Sequence, residues 1–190
     1  MAGKIIILSA PSGTGKSSII KHLMATRPDL DLKFSISATS RSPRVGEQHE
    51  REYYFLTEEE FKEKIANGEF VEWEEVYEGT YYGTLLSEVE KKVEDGHTVI
   101  MDIDVKGSLN VKKRFGDRAL ALFIMPPSIQ ELEQRLNNRG TDTPDDVARR
   151  LAKAGYEMTF ASKFDAIVIN DDFFTAADEV ADKIKSFNPQ

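Results

Sequence analysis

Ser9-Ala10-Pro11-Ser12-Gly13-Thr14-Gly15-Lys16-Ser17-Ser18 decides how this chain is read. It follows the apolar run Ile5-Ile6-Ile7-Leu8, which predicts a short strand buried on both faces. It precedes Ser18-Ile19-Ile20-Lys21-His22-Leu23-Met24, whose apolar spacing suits a helix. A strand, a glycine-bearing loop and a helix opened by Lys-Ser form the setting of a phosphate-binding loop. Gly13 and Gly15 can take backbone angles closed to other residues, so successive N–H groups can turn into one concavity. The first helical turn adds unpaired N–H donors and the positive end of its dipole. Lys16 supplies a mobile cation for the outer phosphates, and the Ser17 hydroxyl is placed to ligate Mg²⁺.

The usual pattern is G-x-x-x-x-G-K-[ST], and Ala10 stands where its first glycine is expected. The demanding angles are expected at Gly13 and Gly15, so the extra methyl counts little. The plain alternative is a Gly/Ser turn linking a strand to a helix; the elements on either side speak for the phosphate loop.

Further apolar runs at 98–103, 119–125 and 166–169 read as buried strands alternating with helices. A parallel sheet with helices on both faces, an α/β fold, is the economical arrangement. Ligands then bind beyond the carboxyl ends of the strands, where Gly13–Ser17, Asp102, Pro126 and Asn170 would share a rim. The first helix should stop before Pro28. Lys33–Ser37 alternates as a short strand and runs into a polar loop, 38–47, with Glu52–Phe55 as the next strand. Thr57 and Glu60 form a capping box, Leu56 and Phe61 a hydrophobic staple, and Asn67-Gly68 the end of that helix. Glu69–Trp73 alternates as a strand; Tyr77–Thr84 reads as strand and turn, and Leu85–Asp95 as a helix closed by Gly96. Helices are expected from Val105 to about Gly116, from a capping box at Ser128 to Asn138, and from Thr143-Pro144 to about Phe160. Thr175 is expected to cap a last helix ending near Phe187. The stretch 35–84, with short strands and little run-length hydrophobicity, looks like an inserted lobe.

At 190 residues the chain has length enough for one domain with a sizeable core. A net charge of −8 argues against a broad nucleic-acid face and makes local basic clusters stand out. There is no cysteine, so thiolate metal sites and disulfides are excluded, which suits a reducing compartment. The N-terminal apolar run is too short for a signal segment or a membrane span, so a cytoplasmic protein is expected. Monomer and homo-oligomer both stay open.

Asp102 ends a strand where an Mg²⁺-organising acid accompanies a phosphate loop. Alternation puts Asp104 on the same face, although either aspartate could instead cap the helix near Val105. Arg41 and Arg44 lie in a polar loop, where ordinary surface charge is the plain alternative to phosphate binding. Arg135 and Arg139 share a helix face and Arg149-Arg150 follow; the alternative there is pairing with Glu131, Asp145 and Asp146. Two basic clusters plus a phosphate loop suggest two phosphorylated ligands and hence a transferase. The histidines at 22, 49 and 97 show no metal-ligand spacing. A phosphomonoester acceptor would need no general base, because its second pKa is about 6, only in-line placement and charge neutralisation.

The chain resembles the guanylate kinase family of ATP:GMP phosphotransferases. The resemblance rests on Ala10–Ser18, the segment from Ser35 to Glu47, Glu52-Tyr53-Tyr54-Phe55, Gly68-Glu69-Phe70-Val71-Glu72-Trp73, Tyr81-Tyr82-Gly83-Thr84, Asp102-Ile103-Asp104, Arg139-Gly140-Thr141 and Ile169-Asn170-Asp171-Asp172, in the family's order over nearly the whole chain. It implies the P-loop nucleoside-monophosphate-kinase fold: a parallel five-stranded sheet core flanked by helices (1–34, 85–126 and 156–190), a GMP-binding lobe (35–84) and a helical lid (127–155), in one domain. It implies ATP, with Mg²⁺ held at Ser17 and Asp102, on Ala10, Pro11, Ser12, Gly13, Thr14, Gly15, Lys16, Ser17 and Ser18, with Asn170 near the adenine. Ser37, Glu72 and Thr84 would contact guanine, Arg41, Arg44, Tyr53 and Tyr82 would clamp the GMP phosphate, and Asp102 and Asp104 would face the acceptor. Arg135, Arg139 and Arg150 would close from the lid onto the transferring group, with Lys16, Arg41 and Arg44 completing the catalytic charge. Lobe and lid would close over both substrates and exclude water.

The guanine assignment also has a physical basis. Guanine presents N1–H and its amino group side by side, and one carboxylate accepts from both; adenine would offer a bare acceptor there. Without the family, an outward-facing strand residue is the plainer reading of Glu72. The expected products are ADP and GDP, with dGMP a second acceptor. A non-catalytic interaction module of similar fold usually lacks the Gly-Lys-Ser loop that Lys16 and Ser17 complete here. A phosphate-loop kinase with another acceptor would not call for Glu72 beside Arg41 and Arg44.

Overall fold

Four apolar runs and one shorter segment build a five-stranded parallel sheet. In the computed structural model, which describes residues 3–138 and 143–187, β1 (Ile5–Ser9) is central, between β7 (Thr98–Asp102) and β8 (Ala119–Met125). β2 (Leu32–Phe34) and β9 (Ala166–Ile169) form the edges, and every pairing is parallel. Ile5, Ile6, Ile7 and Leu8 are all fully buried, as a strand covered on both faces requires. Ile5 and Ile7, with Val99, Met101 and Phe123, pack against Val89 and Val93 of α3 (Leu86–Glu94) and Val111 and Phe115 of α4 (Val105–Phe115). Ile6 and Leu8, with Ile100, Leu122 and Ile124, meet Ile19 and Leu23 of α1 (Lys16–Thr26) and Val180 and Ile184 of α7 (Phe173–Phe187). At about 1.5–3 kcal/mol per buried aliphatic side chain, this two-sided core is the stiff body on which the loops are mounted.

The chain leaving β1 enters α1 on one face of the sheet, and the chain leaving β7 enters α4 on the other. A crevice therefore opens between the carboxyl ends of β1 and β7, where such sheets take ligands.

A second, four-stranded sheet has the order β4 (Tyr54–Phe55), β3 (Ala38–Thr39), β6 (Thr80–Leu85), β5 (Phe70–Tyr77). α2 (Glu58–Ala66) covers it by stacking Phe61 on Phe70 and Tyr81, at centroid distances of 4.3 and 5.4 Å. The Thr57–Glu60 capping box is formed at both bonds. α5 (Ile129–Asn138) and α6 (Pro144–Met158) pack together through Leu132, Leu136, Val147, Leu151 and Ala154. No described helix is long and apolar enough to cross a membrane.

The structure differs from the sequence expectations at several points. The strand expected over Lys33–Ser37 stops pairing with β7 at Phe34, and the chain then crosses to the second sheet. Ala38-Thr39, expected in a polar loop, are buried there, with the Thr39 hydroxyl donating to the Tyr81 carbonyl at 2.9 Å. β5 runs on to Tyr77, because pairing with β6 continues beyond the apolar residues. β9 is an edge strand: Val168 is buried, but Ile167 and Ile169 are 40% and 56% exposed. The last helix is capped by Asp172, whose Oδ1 accepts from the Thr175 N–H at 2.8 Å and its hydroxyl at 2.7 Å. Strand alternation does not carry Asp104, because β7 ends at Asp102 and Asp104 caps α4, accepting from the Gly107 N–H at 2.7 Å.

Candidate active site

The loop after β1 closes over its own backbone. Gly13 and Gly15 have φ of 96° and 90°, the left-handed region glycine tolerates. Ala10 has no such angle and packs beside the α1 and α7 core, so its methyl is accommodated. Thr14 is buried, with its hydroxyl donating to the Pro11 carbonyl at 2.6 Å. Asn170, just past β9, donates from Nδ2 to the Thr14 carbonyl at 2.5 Å, tying the loop to the next rim position. A Cβ on Gly13 would lie 2.8 Å from a Leu136 methyl, so α5 rests directly on the loop.

Ala10, Pro11, Ser12, Gly13, Gly15, Lys16, Ser17 and Ser18 line one wall of a cavity of about 410 Å³. Asp102, Ile103 and Asp104 supply a second wall, and Arg150, Lys153 and Glu157 of α6 a third. One carboxylate organises the centre: Asp102 Oδ1 is 2.5 Å from Lys16 Nζ, and its Oδ2 accepts from the Ser17 hydroxyl at 2.9 Å. Arg150 donates to the Ser12 hydroxyl at 3.1 Å, bringing α6 onto the loop. The cavity thus offers backbone N–H groups, the cations of Lys16, Arg150 and Lys153, and a hydroxyl–carboxylate pair made of hard oxygen donors, a combination suited to polyphosphate and Mg²⁺.

Arg135 is placed elsewhere. It donates to the carbonyls of Asn170 at 2.9 Å and Asp171 at 3.4 Å and pairs with Glu131 at 3.0 Å. It borders a separate hollow of about 300 Å³ with Gly13, Gly15, Asn170 and Phe173. Arg139 lies outside the described residues. Arg149 has the solvent-side role set against function in the sequence, pairing with Asp146 at 2.5 Å.

In the second sheet, Glu72 of β5 and Thr84 of β6 are register partners, and the Thr84 hydroxyl donates to Glu72 Oε1 at 2.7 Å. Burial, reinforced by the negative charges of Asp104 and Glu74, pushes the Glu72 carboxyl up to about 7, against the Thr84 bond. Glu72 is half-buried and faces α4, where Gly107 makes room for it. Ser37 precedes β3, which pairs with β6 beside Gly83. Arg41 donates from Nε to the Tyr82 hydroxyl at 3.1 Å and lies over the Tyr53 ring at 5.1 Å; its other end holds Glu47. Arg44 is exposed.

Sequence reasoning missed Lys153, Glu157 and Glu74. Glu157 is a buried carboxylate in the cavity wall, and burial raises its pKa, against Lys153 and Lys16. Arg150, Lys153 and Glu157 are spaced three and four apart, one stripe of α6, a signal that was available in the helix period. Glu74 lies near Asp104, and partial desolvation together with the Asp104 negative charge raises its pKa; its alternation with Glu72 was the hint of a shared face.

Comparison with known proteins adds an independent finding. The family model described as guanylate kinase matches residues 2–187. A guanylate kinase of Bacteroides thetaiotaomicron is 55% identical over 187 residues, covering 98% of this chain and 91% of its own length. One of Porphyromonas gingivalis is 53% identical, covering 97% of both chains. The crystal structure of guanylate kinase from Anaplasma phagocytophilum is similar at a TM-score of 0.73 and 28% identity, over all of this chain and 88% of that one.

Proposed function

This chain belongs to the guanylate kinase family, enzymes that pass a phosphoryl group from ATP to GMP, and we propose that it performs this reaction with the residues gathered at the β1–β7 crevice. ATP would lie with its phosphates on the N–H groups of the 10–18 loop and its base toward Asn170 and the hollow beside Arg135. GMP would lie under the second sheet, its guanine on Ser37, Glu72 and Thr84 and its phosphate on Arg41, Arg44, Tyr53 and Tyr82. In this reading residues 35–84 are the GMP lobe, 127–155 the lid, and the rest the core. Arg150, already on the phosphate loop through Ser12, would cover the transferring group, with Arg139 as a further lid charge, while Arg135 would stand at the base side, on the Asn170 carbonyl.

The observation that carries the acceptor assignment is the half-buried Glu72 carboxylate, oriented by Thr84 at 2.7 Å. Ionised, it accepts from guanine N1–H and the amino group together, whereas a purine without those donors leaves it unpaired. The acceptor phosphate is already mostly dianionic at neutral pH, so transfer calls for alignment and charge neutralisation rather than a base. Lys16, now on Asp102, would turn to the outer phosphates. The Ser17 hydroxyl and Asp102 carboxylate suit Mg²⁺, which takes a few protein oxygens and completes its shell with water and phosphate. Held there, Mg²⁺ would neutralise charge on the β- and γ-phosphates. Asp104, on the same wall, would face the acceptor. A cytoplasmic location follows from the proposed role in purine nucleotide metabolism.

A coupled assay over GMP, dGMP, AMP, CMP and UMP tests this. Turnover of GMP, and of dGMP, well above the others is expected; AMP turned over as well as GMP would overturn the acceptor assignment.

A further inference from the structure

We propose that Glu47 is a positioning residue for Arg41, gripping the end of its guanidinium so that the opposite edge is presented to the acceptor's phosphate. The proposal rests on the assignment of Arg41 to the GMP phosphate clamp.

An arginine side chain has five N–H donors in a fixed plane, and nearly all of them here can be accounted for. Nη1 donates to Glu47 Oε2 at 2.7 Å and Nη2 to Glu47 Oε1 at 2.8 Å, so the carboxylate spans the end of the fork. The other Nη1–H goes to the Ser42 carbonyl at 3.0 Å, and Nε donates to the Tyr82 hydroxyl at 3.1 Å. One Nη2–H is left, on the same edge as Nε. That N–H and the O–H of Tyr82, whose oxygen already accepts from Nε, can donate to two phosphate oxygens together.

The plane is fixed from several sides. The guanidinium carbon lies 5.1 Å from the Tyr53 ring centre and 5.6 Å from that of Phe55. Glu47 is itself held, because its Oε2 also accepts from the Arg44 N–H at 2.7 Å while its own N–H donates to the Arg44 carbonyl at 3.0 Å. The Arg41 and Glu47 side chains are 15% and 18% exposed, so water does little to loosen the pair. A clamp whose plane is set in advance loses less freedom when the ligand arrives. The opposite idea, that Glu47 is an internal anion competing for the clamp, does not suit a carboxylate bound at the far end with the Nε edge left toward Tyr82.

Steady-state kinetics on the full chain tests the proposal. Glu47→Gln places an amide N–H against an arginine N–H and removes the charge, so KM for GMP should rise about tenfold or more, with KM for ATP within about twofold. Glu47→Asp, which keeps the charge, should recover part of the loss. Binding of guanosine, which lacks the phosphate, should be unchanged in Glu47→Gln; this also shows that the lobe is folded. In an Arg41→Ala background the Glu47→Gln change should add less than about twofold, because a residue acting through another has nothing left to position. A KM for GMP that is unchanged or lower in Glu47→Gln, an Asp variant no better than the Gln variant, guanosine binding weakened as much as GMP binding, or additive effects in the double variant would each overturn it. Arg41→Ala with a normal KM for GMP would instead overturn the clamp assignment itself.

Discussion

Gly107 of α4 stands so close to Glu72 of β5 that a Cβ on the glycine would lie 3.2 Å from Glu72 Cγ and 3.3 Å from its Oε2. The first turn of α4 is thus the wall behind the carboxylate, and the Gly107 N–H is at the same time bound by the Asp104 cap. A glycine inside a helix gives up roughly 1 kcal/mol against alanine, so its use here reflects this close approach. Gly107→Ala should push Glu72 a few tenths of an ångström out of line and raise KM for GMP several-fold without changing KM for ATP. An unaltered KM for GMP in that variant would mean the wall is not tight.

The titration of Glu72 gives a pH dependence whose sign can be worked out. Its carboxyl is raised to about 7 by burial and by Asp104 and Glu74, and only the ionised form accepts from guanine. KM for GMP should therefore fall as pH rises between about 6 and 8, and Glu72→Gln should abolish that dependence while raising KM for GMP far more than KM for ATP. In stability the sign is reversed. A folded-state pKa above the unfolded value of 4.5 means folding takes up a proton, a contribution present at low pH and lost as pH rises through about 7. Thermal melting of Glu72→Gln against the parent chain should show the variant relatively more stable at pH 8 than at pH 5.

Lys16 and Ser17 hold the two oxygens of one carboxylate, Asp102. Lys16→Ala removes the cation from the phosphate cavity while the rest of α1 keeps its packing. Turnover should fall by about 10²–10³, with circular dichroism and melting nearly those of the parent. Near-normal turnover would remove Lys16 from the catalytic set.

Gly15→Ala meets two obstacles at once. Its φ of 90° disfavours any side chain, and the new Cβ would be 2.6 Å from Asn170 Nδ2, which is bonded to Thr14. Loop and rim would have to part, so KM for ATP should rise at least tenfold while guanosine binding is kept. Calorimetry with each ligand distinguishes this from general unfolding.

The sheet was legible because each inner strand is a continuous apolar run, and that pattern has few other homes. The phosphate loop was legible because Gly13, Gly15, Lys16 and Ser17 occur between such a run and a helix. The second sheet was harder. Ala38-Thr39 is a two-residue strand, too short for a period to show, and it is fixed by pairing with β6 some forty residues on. Glu72 stands as a candidate guanine contact only by resemblance, since a glutamate alternating in a strand reads first as solvent-facing. The neighbour that marks it, Gly107, is brought up by the tertiary fold. Arg135 illustrates the converse: its helix face was foreseeable, but its turn toward the Asn170 carbonyl depends on where β9 ends. Glu157 shares a helix stripe with Arg150 and Lys153, but its burial is set by what packs against α6 and not by that spacing.

The alanine at position 10 has a consequence for how relatives of this protein are found. Backbone angles that only glycine adopts readily fall at 13 and 15, while residue 10 asks merely for something small next to the hydrophobic layer beneath it. A search signature written letter by letter would discard this chain at its first character. One weighted by steric demand would hold the two later positions invariant, admit alanine at the first, and so retrieve sequences that a strict template passes over.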